Sequence, residues 1–437
     1  MTVLAGATVV ASLDPVRVAE GDVHVAEGRI VGDGGGARRD CSGCVVLPGN
    51  VCAHTHLYSA LARGMPYALP PPESFVQILQ RIWWRLDRAL DEDTVRASAL
   101  VGGMEALLAG TTTLVDHHAS PNAIDGSLDV IAEALVGLGV RSVLCYETSD
   151  RDGPDRAAAG VAENRRFVDR VRRERPPLVR ALVGAHASFT LSEETLATCV
   201  EAAEGVGLHI HAAEDDADER DALARCGVRV VERLLEAGGL DERTLLAHGV
   251  HLDGTELEVV RAANASVAHN ARSNMNNAIG RARVRELGAR VALGTDGIGA
   301  DMFEESRTAF FRLQEAGGAG GANWALARTA ESARLAGRLF GEPLLGTLEP
   351  GAPADLVVLD YAAPAPLRDS TFAGHWIFGL SSRHVRDVMV GGEWVVLDRR
   401  LAAADAQALA AEARVEADRL WRRLDEIPPH EFEPKGG

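Results

Sequence analysis

The chain has 437 residues, of which 46% are hydrophobic and 25% charged, and 63 acidic residues outnumber 45 basic ones for a net charge of -18. This length allows one large domain with a smaller one, and the acidic balance argues against nucleic acids and anionic membranes as partners. Lys435 is the only lysine. The body of the protein therefore has no Schiff-base lysine, no phosphate-loop lysine and no carboxylated lysine to bridge two metals.

The beginning of the chain and its cysteines predict a reduced, cytoplasmic protein. The N-terminus lacks the basic region of a secretory signal, and no apolar run approaches the ~20 residues of a membrane span. The six cysteines are scattered. The C-x-x-C pair Cys41 and Cys44 has no second pair beside it, which favours a structural position at a strand entry over a zinc or redox site.

Short strand-like pieces punctuated by Gly and Asp fill residues 1–48, and the same texture returns over 349–400. In "HVRDVMVGGEWVVLD" a Gly-Gly pair separates two alternating apolar runs, which is a hairpin signal. We predict one small β-sandwich domain, assembled from both termini. Residues 401–437 are predicted to be a C-terminal amphipathic helix with a polar tail.

The middle of the chain, residues 49–348, alternates short apolar runs with amphipathic helical stretches. One such stretch is predicted to begin with a capping box formed by Thr190 and Glu193. The eight candidate strands are "GNVCAH", "TTLVD", "RSVLCYE", "RALVGAH", "GLHIHA", "TLLAHG", "ASVAHN" and "RVALGTD". This pattern predicts an α/β fold, a (β/α)8 TIM-like barrel. The alternative is a doubly wound sheet, which calls for a Gly-rich phosphate loop where His54-Thr55-His56 stands.

Histidines stand at or just beyond the ends of six of the eight predicted strands, and Asp296 ends a seventh. In such a barrel the catalytic groups lie at the carboxyl ends of the strands. The residues at or just beyond these ends are His54, His56, Asp116, His117, His118, His186, His211, Glu214, His248, His269, Asn270 and Asp296. Chance placement of the chain's 14 histidines does not explain this clustering.

A metal site explains the set. His54 and His56 are two residues apart in a strand and therefore face the same side. Neutral imidazole and carboxylate bind Zn²⁺ and related ions, and His211 and Asp296 come from other strands of the same ring. The fourth strand, "RALVGAHASFT", offers neither a lysine nor a glutamate to bridge a second ion. We predict one divalent metal per chain, zinc first, with iron or manganese as alternatives.

The motifs "HTH", "HIHAAE", "AHGVH", "HNARSN" and "LGTDG" occur in the order of the amidohydrolase superfamily. The chain resembles that superfamily over nearly its whole length, in the mononuclear aminohydrolase branch. "WWRLDRALDE", "DHHASP", "HNARSNMNNAIG" and "GTDGIGADMFEE" resemble more narrowly the aminohydrolase group named SsnA. One departure is Ala271, where many relatives have proline; it affects no proposed ligand.

The resemblance, together with the strand positions, implies roles. His54, His56, His211 and Asp296 hold the metal, which makes hydroxide available from water near neutral pH. Asp296 takes the proton of the attacking water, and Glu214 is the general acid that protonates a ring nitrogen or the leaving amine. His248 stabilises charge on the attacking oxygen; its alternative role is to orient a ligand.

The substrate-binding candidates are Arg63, His118 and His186, with His117 beside them. For each histidine, contact with substrate and a role in orienting a metal ligand are about equally compatible with the sequence. For Arg63, substrate binding and exposure to solvent on a loop are about equally compatible. Trp83 and Trp84 are more often core residues than a stacking platform.

The function predicted from these residues is hydrolytic deamination of an aminated nitrogen heterocycle, a purine, a pterin or a related ring. The alternatives are ring opening of a cyclic amide or amidine and dechlorination of a triazine-like ring. A metal-holding protein without catalysis is disfavoured, because a structural site has no use for an open position beside a general acid. The expected partners are the small heterocycle and water, and the resemblance implies a homo-oligomer.

Overall fold

A computed structural model describes residues 1–318 and 320–436 of the chain. The strands are β1 Thr2–Leu13, β2 Val16–Ala26, β3 Arg29–Val31, β4 Ala37–Asp40, β5 Val45–Pro48, β6 Asn50–Thr55, β7 Thr111–His118, β8 Arg141–Tyr146, β9 Val179–Ala181, β10 Val183–Ala187, β11 Leu208–Ala212, β12 Leu245–His248, β13 Ser266–His269, β14 Val291–Leu293, β15 Leu356–Leu359, β16 Val385–Val390, β17 Glu393–Leu397 and β18 Arg400–Leu401. The helices are α1 Phe75–Ile78, α2 Trp84–Ala89, α3 Glu92–Leu108, α4 Ser127–Leu138, α5 Pro154–Glu174, α6 Glu193–Ala202, α7 Asp216–Cys226, α8 Val230–Glu236, α9 Gly254–Ala262, α10 Ala271–Asn276, α11 Met302–Glu315, α12 Gly321–Phe340, α13 Phe372–Phe378 and α14 Ala406–Glu426.

Both ends of the chain form one nine-stranded sheet, in the order β18-β17-β16-β15-β5-β1-β2-β3 with β4 beside β1. The predicted hairpin is present between β16 and β17. Its two glycines, Gly391 and Gly392, have φ of 56° and 85°, the left-handed values that a tight hairpin turn requires. Alternate residues of the central strands face opposite sides, so that Val46 and Val358 pack into the sheet's own apolar core.

All eight predicted barrel strands are present, and they close into a ring. The order is β6-β7-β8-β9 followed by β10-β11-β12-β13-β14, with every pairing parallel. The fourth predicted strand is interrupted at Leu182, whose N–H donates to Leu144 O over 3.1 Å. Strand eight returns to strand one, because Thr295 N donates to His54 O over 2.8 Å. This closure confirms the barrel and is incompatible with a doubly wound sheet.

Apolar side chains fill the inside of the barrel below the candidate site. They are contributed by almost every strand and are fully buried or nearly so: Ala53, Val115, Val143, Leu182, Leu245, Ala268 and Ala292. The barrel is therefore a packed core, and polar chemistry is confined to the strand ends above this layer.

The capping box predicted at Thr190 and Glu193 is wrong by two residues. Ser192 is the N-cap of α6 and accepts a hydrogen bond from Thr195 N at 3.1 Å. Thr190 instead belongs to a short 3-10 turn, where its hydroxyl contacts His186 Nδ1 at 2.7 Å. The hydroxyl of Thr190 therefore bonds to His186 and does not cap the helix.

The chain ends in α14 and an extended tail that runs back toward the barrel mouth. The backbone N–H of His430 donates to Gln80 O over 3.0 Å, and the side chain of Gln80 donates to Phe432 O over 2.8 Å. Gly437, the last residue of the predicted tail, lies outside the described residues. Among the residues described, no helix has the length and apolar character needed to cross a membrane. The division into a small domain of residues 1–48 and 349–400, a barrel of residues 49–348 and a C-terminal segment of residues 401–437 stays a prediction.

Candidate active site at the carboxyl ends of the barrel strands

The four predicted metal ligands meet at one point above the barrel core. His54 and His56 leave β6, His211 leaves β11, and Asp296 follows β14. The backbone of Asp296 is held against strand one, since its N–H donates to His54 O over 3.1 Å and its carbonyl accepts from His56 N over 3.2 Å. Asp296 has φ of 54°, a strained value for a non-glycine residue that this clamp maintains.

The donor atoms of the four side chains are close enough to share one ion. Each lies within 4.8 Å of the others. Asp296 Oδ1 is 2.9 Å from His56 Nε2 and 3.4 Å from His54 Nε2, and the two Nε2 atoms of His56 and His211 are 3.1 Å apart. All four residues are buried.

Backbone carbonyls fix the tautomers of two of these rings. His56 Nδ1 donates to His117 O at 2.6 Å, and His211 Nδ1 donates to His186 O at 2.8 Å. The two Nε2 lone pairs therefore point at each other across 3.1 Å, an arrangement that needs a positive charge between them. His54 Nε2 is also buried without a hydrogen-bond partner. This donor set fits a divalent metal of the zinc type.

The electrostatics agree with that fit. Burial lowers the pKa of His56, but the hydrogen bond and charge of Asp296 outweigh it and raise that pKa to about 9. Burial lowers the pKa of His54 to about 3 and holds the pKa of His211 well below its usual value. Burial thus keeps His54 and His211 neutral, while Asp296 favours one positive charge at His56, and a divalent ion bound by the cluster would take the place of that proton.

Glu214 and His248 lie on one flank of this cluster. Donor atoms of Glu214, His248 and Asp296 are within 4.8 Å of one another, with 3.6 Å between Glu214 Oε2 and His248 Nε2. Burial, and then the charge of Asp296, raise the pKa of Glu214 well above its usual range. His248 Nδ1 donates to Asn274 Oδ1 over 2.8 Å, which leaves Nε2 toward the cluster. Ser273 donates to Asp296 Oδ2.

A narrow cavity of about 30 Å³ lies over the cluster, room for about two water molecules. Its twelve lining residues are His56, Tyr58, Phe75, Leu79, Trp83, Trp84, Glu147, His186, His211, Glu214, Asn277 and Asp296. The roof is the cap segment, residues 75–89, which comprises α1, one π-helical turn and α2. Trp83 and Trp84 thus wall the cavity, although Trp84 is also a fully buried core residue.

The predicted substrate-binding residues differ in where they lie. His186 lines the cavity. His118 is buried outside the lining set and contacts Ser120 Oγ through Nε2 at 2.9 Å. Arg63 forms a two-point ion pair with Glu105, at 2.7 and 2.8 Å, on an exposed loop. Its guanidinium borders a neighbouring cavity of about 280 Å³ that also reaches His56 and Trp83.

Two buried residues escaped the sequence analysis. His209 Nε2 contacts His54 Nδ1 at 2.9 Å, directly behind a proposed ligand. The signal was present, since His209 precedes His211 by two residues in the same strand. Glu147 follows β8, the third barrel strand, at the position where other strands carry histidine.

Glu147 belongs to a buried charge cluster. Its Oε1 accepts from Arg151 Nη1 at 3.1 Å, and its Oε2 is 3.3 Å from His117 Nδ1. Arg151 also pairs with Asp87 and, at 3.3 Å, with Asp152. One guanidinium thus meets three carboxylates beneath the ring of Trp84, whose centroid is 5.4 Å from Arg151 Cζ.

Residues 45–395 match the Amidohydrolase family. The chain is 31% identical to the 5'-deoxyadenosine deaminase of Methanopyrus kandleri over 86% of each sequence. It is 34% identical to the 5-methylthioadenosine/S-adenosylhomocysteine deaminase of Halobacterium salinarum, over 94% of this chain and 96% of that enzyme. A zinc-bound adenosine deaminase from Xanthomonas campestris superposes with a TM-score of 0.84 at 25% identity, covering 96% and 98% of the two chains. The zinc complex of atrazine chlorohydrolase TrzN from Arthrobacter aurescens reaches 0.80 at 24% identity, covering 95% and 100%, and shares the fold.

Proposed function

Because the chain belongs to the amidohydrolase family, we propose that it is a metal-dependent aminohydrolase that removes ammonia from an aminated purine or a related nitrogen heterocycle. The observation that carries this proposal is the carboxyl of Glu214. It sits within 4.8 Å of the proposed ligand Asp296 and lines the cavity, and burial together with the charge of Asp296 raises its pKa well above the usual range, which favours the protonated form that a general acid needs. The sequence relatives with deaminase names support the same reaction.

His54, His56, His211 and Asp296 would hold one divalent ion, with zinc the expected metal. Such an ion, when bound, lowers the pKa of a coordinated water to about 7 and so supplies the nucleophile. His209 keeps the ring of His54 in place from behind, and the carbonyls of His117 and His186 do the same for His56 and His211.

The remaining residues move the protons. The water oxygen forms a bond to the amine-bearing ring carbon while Asp296 accepts a proton from that water. Glu214 donates its proton to the neighbouring ring nitrogen, which takes up the electron pair of the C=N bond. His248 Nε2 accepts a hydrogen bond from the attacking water and orients it. Asp296 then passes the proton it took from the water to the amine. The carbon–nitrogen bond breaks and ammonia leaves, while the added hydroxyl becomes the ring carbonyl and gives its proton back to Glu214.

The protein's setting forms part of the same proposal. All six cysteines carry free thiols and five are buried, which supports a reducing, cytoplasmic location. We also infer a homo-oligomer. Phe311 and Phe378 are 50% and 70% exposed with ring centroids 6.2 Å apart, an apolar pair that contact with a second copy of the chain would cover.

The test is a panel of aminated and cyclic-amide heterocycles offered to zinc-loaded protein, with ammonia and ultraviolet absorbance followed together. We expect ammonia in equal amount to substrate consumed, about one metal per chain, and loss of activity on chelation that zinc restores. Turnover that adds one water without releasing ammonia would assign ring opening instead. Two metals per active chain would contradict the single-ion site.

A further inference from the structure

We propose that the site selects a planar heterocycle that carries no negative charge and presents two adjacent N–H donors, and that Glu147 is the residue that accepts them. This inference rests on the proposed function and names the substrate class of the same site. The relatives' names specify adenosine-type nucleosides. This inference instead specifies the hydrogen-bond donors that the substrate presents on the edge of the ring that faces away from Glu214.

Apart from its histidines, the ionisable side chains of the cavity wall are acidic, with Tyr58 the one exception. Three carboxylates line it, from Glu147, Glu214 and Asp296, and no arginine or lysine stands among the twelve lining residues. Glu214 and Asp296 have roles at the reacting carbon. Glu147 is the third acidic residue of the wall. Its Oε1 accepts from Arg151 and lies 3.7 Å from His186 Nε2, its Oε2 lies 3.3 Å from His117 Nδ1, and each carboxylate oxygen can accept a further hydrogen bond.

The nearby arginines do not offer a charge to a substrate anion. Arg151 is buried behind Glu147 and already pairs with three carboxylates, so this cluster has an excess of negative charge. Arg63 turns outward to Glu105. A substrate carboxylate or phosphate held away from the proposed metal would therefore lose its hydration without gaining a cationic partner, which is costly.

Shape restricts the ligand further. Trp83, Tyr58 and Phe75 present aromatic walls around the acceptors, and a planar ring fills such a slot. With only about 30 Å³ free, the cap segment must shift outward for any ring to enter. A ring whose exocyclic amine adjoins a ring N–H matches a carboxylate in two parallel hydrogen bonds, whereas an adenine-type edge places an acceptor nitrogen beside its amine.

The experiment measures binding of matched ligand pairs to zinc-loaded protein by calorimetry, with ammonia release followed in parallel. The donor pair is guanine and adenine, which differ in whether a ring N–H adjoins the amine. The charge pair is pterin and pterin-6-carboxylate. We expect guanine to bind about 10–100-fold more tightly than adenine, the range for a hydrogen bond to a charged group, and pterin to bind more tightly than its carboxylate. Equal affinities within both pairs, or failure of guanine and pterin to bind, would overturn the proposal.

Variants assign the preference to Glu147. Glu147→Gln keeps the shape but replaces an acceptor with an NH₂ donor, so guanine should lose about 10–100-fold in affinity while adenine changes little. Glu147→Asp, shorter by one methylene, should show an intermediate loss and serves if the first variant does not fold. Asp152→Asn is the matched control, since it removes a carboxylate from the same Arg151 outside the cavity lining.

Two readouts separate this inference from its alternatives. Glu147 lies within 4.8 Å of ring nitrogens of His56 and His211, so metal content is measured on every variant. Loss of the metal in Glu147→Gln would show that Glu147 acts on the ion, and the inference would fall. If adenine-type rings release ammonia and the protein shows no preference for ligands with two adjacent N–H donors, the proposed deamination stands and the inference about Glu147 is wrong. If guanine and pterin bind tightly but no ligand releases ammonia, the inference about Glu147 stands and the proposed deamination is wrong.

Discussion

Glu214 is the residue on which the proposed reaction depends most, and Glu214→Gln tests it. Glutamine is nearly isosteric and keeps a hydrogen bond, but it cannot deliver a proton at neutral pH. We expect kcat/KM to fall by at least ~10²–10⁴-fold with metal content unchanged. His211→Ala should lose metal and activity together. Measuring both quantities on the same preparations decides the matter; a Glu214→Gln protein without metal would make Glu214 a ligand.

His209 is expected to act on the metal through His54, without touching it. Its Nε2 accepts from His54 Nδ1 over 2.9 Å, and its own Nδ1 faces Cys145 Sγ at 3.6 Å. His209→Leu leaves the buried Nδ1–H of His54 without an acceptor, so zinc affinity should fall about 10–100-fold. Competition with a chelator measures this without reference to activity. His118→Leu, another buried histidine, bonded to Ser120, is the control and should keep its zinc.

For single residues, the sequence predicts those positions that follow from the alternation of side chains along a strand. His54, His56, His211 and Asp296 converge because alternate residues share a face and parallel strands end at one rim. Arg63 shows the limit, since its direction is set by a partner 42 residues away. Glu147 also lies at the end of a barrel strand, but it is a glutamate where the other strand ends carry histidine, so the histidine pattern does not identify it. The roles assigned to the site residues stay predictions until the variants are measured.

Among the secondary-structure elements, the barrel strands were predicted well and the cap segment was not. Eight apolar runs of barrel-strand length separated by helices leave few other folds open. The cap segment has no comparable repeat: α1 has four residues and continues through a π-helical turn into α2. Such a turn gains its stability from tertiary contacts, here with the C-terminal tail. The tail and cap are about 350 residues apart in the chain, beyond any local pattern.

The tail is expected to hold the cap segment closed. Gln80 contacts Phe432, Arg85 Nε donates to Ile427 O over 2.7 Å, and the ring of Trp84 packs on His430 at 5.3 Å between centroids. Ending the chain after Glu426 removes the tail but keeps α14. We expect faster amide exchange across residues 75–89 and a raised KM, with less change in zinc affinity. Exchange confined to the new C-terminus would show that the tail does not control the cap.

At the scale of the whole molecule, the small sheet and the barrel are joined by a buried ion pair. Arg141, on β8, donates through Nε and Nη2 to Asp355, just before β15, at 2.7 and 3.0 Å. Both side chains are at most 6% exposed. Asp355 also accepts from Gly391 N at 2.7 Å, which ties the β16–β17 turn to the same point. Composition predicted two β-rich ends around a barrel, but nothing in either segment identifies a partner 214 positions away.

Breaking this pair should cost far more than breaking an exposed one. Arg141→Met leaves the Asp355 carboxylate buried without its cation, so we expect a loss of about 3–5 kcal/mol in the free energy of unfolding. Asp355→Leu should cost a similar amount, whereas the double variant should cost less than either, because neither charge is then stranded. Arg29→Ala is the matched control: its pair with Glu342 also joins sheet and barrel, but the side chains are 48% and 28% exposed, and the expected loss is about 0–1 kcal/mol. Guanidinium unfolding followed by fluorescence and circular dichroism measures all four. Losses that simply add in the double variant would mean that the two charges are stabilised independently, and that the pair does not join the two parts of the molecule.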